Sequence, residues 1–254
     1  MNILFICIVI FIVFMAAGYA GLFLQTRLTE AHKTGESKSV VGQISGLVSL
    51  LLALVLGTLI GVSFAYYSTQ KANLETFSAQ ILRLDQALAQ YGPETKPVRD
   101  KIKAGIVKGY DLFWGGGDVD PNALTVEGPL ANAQAVSDYL ATLQPKTDAQ
   151  KQALATAGLY SSMVEQSRLL ISLQVASGPV SWFLIAILVF WTAALFFGIG
   201  LYAAPNGLVY AALAFGALSI AFAIFLIIEF GLPYTGLFRI SPAALEQTIE
   251  YMDK

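Results

Sequence analysis

Charge is scarce in this sequence. Charged residues fill 13% of its 254 positions and hydrophobic ones 56%, against about 25% charged in a soluble domain. The mean hydropathy is +0.65. One globule of this size has too little interior for that much apolar side chain, which excludes a simple soluble enzyme. Cysteine and histidine are nearly absent. Cys7 on its own forms no internal disulfide, and His32 on its own builds no histidine-based metal centre. A formal net charge of −2 and a pI of about 5.4 leave no general basic footprint for nucleic acid. The catalytic signatures are missing as well: no G-x-S-x-G, no H-E-x-x-H, no phosphate-binding P-loop and no paired Cys. No catalytic residue, cofactor or metal is implied.

What is present is apolar sequence in long runs, and a span needs about 20 such residues. Ile3 to Leu24, Val40 to Tyr67, Pro179 to Ala204 and Leu208 to Ile228 each qualify. The first lacks the basic leader of a signal peptide and outruns its apolar core, so we read it as a retained helix. Ala204-Pro205-Asn206-Gly207 leaves room only for a helical hairpin between the third and fourth runs.

Between the second and third spans the composition changes. Residues 68–178 hold ten of the fifteen basic and eleven of the seventeen acidic residues. Leu74, Phe77, Ile81, Leu84 and Leu88 recur at three and four, an amphipathic stripe. No breaker lies between Tyr67 and Gln90, so the second span is expected to continue into water as one long helix, stopped by Tyr91-Gly92-Pro93. Further helices are expected over Pro97–Trp114, Leu130–Leu143 and Asp148–Leu173, with a loop from Gly115 to Gly128. No alternating strand pattern and no internal repeat is visible.

The expected fold is therefore all-α: an integral membrane protein with four transmembrane helices and a helical extramembrane domain between the second and third spans. The expected parts are a first transmembrane hairpin over residues 1–67, a soluble domain over 68–178, a second hairpin over 179–232 and an amphipathic tail over 233–254. An even number of spans puts both termini and the middle domain on one side. The first hairpin loop concentrates Arg27, Lys33 and Lys38, and the second loop carries no charge. Positive-inside then puts the first loop in the cytoplasm and the middle domain outside, in the periplasm of a Gram-negative host.

Few side chains stand out for chemistry. Gly115-Gly116-Gly117 lacks the Lys-Ser/Thr and the preceding strand of a phosphate cradle and reads as a turn. Asp118-Val119-Asp120-Pro121-Asn122 lacks the later Gly and Glu of a calcium loop. His32 reads as a solvated side chain. The second span is richer. Gly42, Gly46, Gly57 and Gly61 return to nearly one face at about 100° per residue, with Ser49 and Ala53 close by. Such a smooth face either packs closely against another helix or clusters about an axis to line a pore, and one helix can do both. Glu229 is the one acidic residue touching an apolar span. It is either a functional group or half of a structural pair with Arg239. Trp182, Trp191, Tyr202, Tyr210 and Tyr234 suit interfacial belts or core packing.

Several segments together resemble the bestrophin-like domain family of four-helix bacterial membrane proteins. Leu50-Leu51-Leu52-Ala53-Leu54-Val55-Leu56-Gly57 is similar to its second-span signature. Leu84-Asp85-Gln86-Ala87-Leu88, then Tyr91-Gly92-Pro93-Glu94 and Arg99, is similar to its helix turn. Phe190-Trp191 with Gly200-Leu201-Tyr202-Ala203-Ala204-Pro205-Asn206 resembles the end of its third span. Phe225-Leu226-Ile227-Ile228-Glu229 with Pro233, Gly236 and Arg239-Ile240-Ser241-Pro242 resembles its tail. At Phe230-Gly231-Leu232-Pro233 the chain departs from the family, which more often has an acidic residue and then Pro-Phe.

The resemblance implies kinship with bestrophins, pentameric anion channels whose second helix lines the pore. In this sequence the pore row would be Leu50, Leu54 and Thr58, an apolar neck that gates by dewetting. The same kinship would keep the middle domain in the cytoplasm, against the charge count. The expected function is a homo-oligomeric ion channel in the inner membrane, with lipid, further copies of the chain and a permeant ion as partners and no nucleic acid. The alternative is a non-conducting binding, signalling or envelope scaffold protein that uses its middle domain. A transporter is disfavoured because no span is broken mid-membrane in paired positions.

Overall fold

The computed structural model describes residues 3–27, 35–115, 127–179 and 181–253. Its elements are helices: α1 (Ile3–Gln25), α2 (Gly35–Tyr91), a 3-10 turn (Pro93–Thr95), α3 (Lys96–Trp114), α4 (Glu127–Thr142), α5 (Asp148–Ser177), α6 (Trp182–Tyr202), α7 (Gly207–Phe230) and α8 (Ala243–Met252). No strand occurs among the described residues. Four helical stretches are long and apolar enough to cross a membrane. The chain divides into two compact units, Met1–Tyr67 with Pro179–Leu232, and Ser68–Gly178 with Pro233–Lys254.

The first unit contains α1, the first half of α2, α6 and α7. These helices are apolar on every side, as lipid requires. At about 1.5 Å per residue each is long enough to cross the roughly 30 Å hydrocarbon layer. Phe14, Leu188, Ile224 and Ile227 are wholly buried at its centre. Phe14 stacks on Phe196 with ring centroids 5.7 Å apart. Helix α1 packs backbone to backbone on α6, and glycine permits it. A Cβ on Gly21 would overlap the Phe197 carbonyl, and one on Gly200 would overlap that of Gly18. Backbones this near gain dispersion that larger side chains would forbid. Ser181 caps α6 by accepting from Phe183 N at 3.2 Å, and Asn206 caps α7 by accepting from Val209 N at 2.9 Å.

In the second unit the amphipathic stripe of α2 packs inward, with Leu74, Ile81, Leu84 and Leu88 all buried. The helix runs unbroken to Tyr91 and stops because Gly92 takes φ 141°, a conformation that side chains rarely adopt. Thr95 then ties the turn: its hydroxyl donates to Leu88 O at 2.6 Å and lies 2.8 Å from Gly92 O. Tyr139 Oη donates to Glu94 O at 2.6 Å, fastening α4 to the same turn. Thr147 caps α5, accepting from Gln150 N.

The C-terminal residues fold back onto this unit. Leu245 of α8 is buried with Ile81 and Ile106. Trp114 Nε1 donates to Ile240 O at 3.0 Å, Tyr110 Oη donates to Glu246 at 2.7 Å, and Lys103 pairs with Asp253.

Among the helices expected between the second and third spans, two boundaries differ from the sequence expectation by more than one residue. The helix expected from Leu130 begins at Glu127, because Pro129 sits in its first turn, where a missing N–H costs nothing. The helix expected to end at Leu173 continues to Ser177, because no breaker precedes Gly178-Pro179.

Candidate functional site

The candidate site is the side of α2 that its own protomer leaves bare. At about 100° per residue, Gly42, Gly46, Leu50, Leu54, Gly57, Thr58 and Gly61 share one arc of about 160°. Leu50 is 71% exposed and Leu54 67%. A Cβ built on any of the four glycines meets nothing within 4 Å. The opposite side of the helix is covered: Leu52 is 3% and Leu56 8% exposed, and both belong to the membrane-unit core. Thr58 Oγ1 donates to Leu54 O at 2.8 Å. That bond satisfies the hydroxyl within the helix, so the row needs no polar partner across the face.

Chemically the face is uncharged, smooth at its glycines and aliphatic between them. Among the described residues no helix packs onto the four glycines. The close backbone approach occurs instead at Gly18, Gly21 and Gly200 of α1 and α6. Sequence reasoning passed over those three because each lies inside an unbroken apolar run. The small-residue spacing Gly18-Tyr19-Ala20-Gly21 was the available signal.

The remaining candidates fall elsewhere. Glu229 is 1% exposed near the end of α7. Arg239 is exposed and belongs to the other compact unit. The hydroxyls of Ser63 and Thr192 are buried in the membrane unit without a hydrogen-bond partner among the described residues. Gly115 closes α3, its N–H donating to Asp111 O at 2.9 Å. His32 and Asp118–Asn122 lie outside the described residues. Among the described residues no cluster of three His, Cys, Asp or Glu is arranged to hold a metal.

Four apolar helices with a separate helical unit define a multi-pass membrane protein. A family profile, the Bestrophin-like domain, matches residues 12–245. That match takes in most of the sequence, and the chain belongs to this family. Compared with curated proteins and with solved structures, it matches none.

Proposed function

We propose that the chain assembles as a homo-oligomer in which the bare faces of α2 surround a shared axis and form an ion pore. The observation that carries the reading is the asymmetry of α2. One side is packed into its own bundle, and the other presents four uncovered glycines and the Leu50–Leu54–Thr58 row. Glycines let neighbouring copies approach closely. Copies of Leu50 and Leu54 then make an apolar constriction that opens and closes by wetting and dewetting. The family membership supports a channel-type membrane protein. Kinship with bestrophins suggests anions as the permeant species and five copies as the assembly. The proposal assigns no catalytic step, cofactor or nucleic-acid partner.

The test is ion flux from liposomes holding the purified oligomer, across several salts, pH values and voltages. Wild type should conduct, and Leu54→Ala should raise the flux by widening the neck. An intact oligomer that passes no ion under any condition supports the non-conducting scaffold reading instead.

For placement we propose the inner membrane with the middle domain outside, supported by the basic residues of the first hairpin loop. Single cysteines at Lys33 and Lys146, probed with an impermeant thiol reagent on intact cells in a Cys7→Ser background, decide it. Labelling at Lys146 alone agrees with the proposal, and labelling at Lys33 alone reverses it.

A further inference from the structure

Between α2 and α6 in the membrane unit lies a groove of about 380 Å³. That volume lies within the roughly 300–1,000 Å³ of small-molecule sites. On α2 its wall is a helical stripe that includes Ser45 and Val48, and on α6 it is Trp191, Ala194 and Gly198. Gly198 forms the floor: a Cβ there would meet only Ser45 Oγ, at 3.7 Å. The lining is almost wholly aliphatic or aromatic, so a polar occupant would lose its hydrogen bonds there. The medium around a spanning helix supplies an apolar occupant, the acyl chain of a lipid.

Charge selects which lipid. Counting back from Ser45 by seven residues, on the same stripe of α2, gives Lys38, an exposed residue where the apolar stretch begins. Measured from the middle of the α2 lining, Lys38 lies about 80° around the helix and Glu36, two residues earlier, about 120°. Arg27, also exposed, follows the end of α1 on the same hairpin loop. A cation about one helical turn beyond Val41, the first lining residue of α2, complements a lipid that carries its negative charge at one end.

We infer that the α2–α6 groove binds one acyl chain of an anionic phospholipid whose phosphate sits at Lys38. This binding is independent of conduction, and its readout does not use ion flux. A Trp114→Phe, Trp182→Phe background leaves Trp191 as the single fluorophore. The full-length protein is reconstituted in phosphatidylcholine vesicles. Either phosphatidylglycerol or phosphatidylcholine with brominated chains is then added at equal minor fractions. Brominated phosphatidylglycerol should quench Trp191 more strongly. Lys38→Gln should weaken that preference about three- to fivefold, the effect expected of one cation near a lipid surface, and Lys38→Arg should keep it. Gly198→Leu should fill the groove and protect Trp191 from both lipids.

Equal quenching by the two lipids overturns the inference, because it shows contact without headgroup selection. Absence of quenching by either also overturns it, because another copy then covers the groove. If Lys38→Gln fails to fold, high salt on the unchanged chain takes its place. Salt should abolish the headgroup preference and leave the chain contact, and a preference that survives salt overturns the site.

Discussion

Arg99 grips Asp85 across the turn that ends α2, with Nε 2.7 Å from one carboxylate oxygen and Nη2 2.8 Å from the other. Asp85 is 2% exposed, so the two parallel bonds form largely out of water, where geometry of this kind is strongest. The bond to Asp85 is the main reason the guanidinium is held above its ordinary pKa, and burial opposes it. Arg99 therefore keeps its charge at every pH the protein meets. The clamp joins α2 to α3 and fixes the Tyr91–Thr95 turn between them.

Asp85→Ala should leave Arg99 charged and unpartnered. A loss of about 2–4 kcal/mol is expected, below the full cost of a wholly buried pair because Arg99 is partly exposed. Arg99→Lys keeps the charge but loses the fork, and should lose roughly half as much. Thermal unfolding in detergent, followed by circular dichroism, ranks the two. Equal melting of wild type and Asp85→Ala would show that the clamp contributes nothing.

The α8 anchor should respond to alkali. Tyr110 donates to Glu246, and that bond, with lesser help from burial and from the charges of Glu246 and Asp111, raises its phenol above the ordinary 10.0. A raised pKa in the fold favours the neutral phenol. Its stabilisation is complete below the unfolded value, about 10, and is lost as pH climbs through the higher folded value. The melting temperature of wild type should therefore exceed that of Tyr110→Phe at about pH 8, with the gap closing above about pH 10. A gap that stays constant across this range excludes the hydrogen bond as its source.

Glycines in two places should behave in opposite ways. Gly21→Ala drives a methyl group into the Phe197 carbonyl and should destabilise the membrane unit by about 1–3 kcal/mol. Gly46→Ala meets none of the described residues of its own chain, so in detergent that separates the copies it should be neutral or better, since alanine gains up to about 1 kcal/mol over glycine inside a helix. Melting of the two variants in the same detergent checks the contrast. A destabilised Gly46→Ala in that dissociating detergent would mean that the chain's own fold covers this face.

Bulk on the bare face should disperse the assembly proposed above. Gly57→Leu should reduce the mass measured by light scattering while leaving the protomer helical. A mass unchanged from wild type would remove this face from any contact between copies.

Much of the architecture could be read from the chain. Spans declare themselves because lipid demands about 20 apolar residues in a row. The unbroken course of α2 follows from the absence of any Gly or Pro between Tyr67 and Tyr91. The arc shared by the glycines and Leu50 is likewise simple angular counting. The Asp85–Arg99 clamp was hidden, because both residues appeared only as members of a motif, and a separation of 14 positions across a turn carries no helical periodicity. The Gly21–Gly200 contact was hidden for another reason. Every residue of α1 is compatible with lipid, so hydropathy cannot mark the side that faces protein.

The backbone-deep seat between α1 and α6 makes the N-terminal span a matched piece rather than a generic anchor. Exchanging α1 for a uniform leucine helix would preserve its length and greasiness, yet bulky branches would meet the notch where Gly18 and Gly21 now lie against Gly200. The substitute would ride several ångströms away, and a chimera of this kind should lose its fold even though every hydropathy profile approves it.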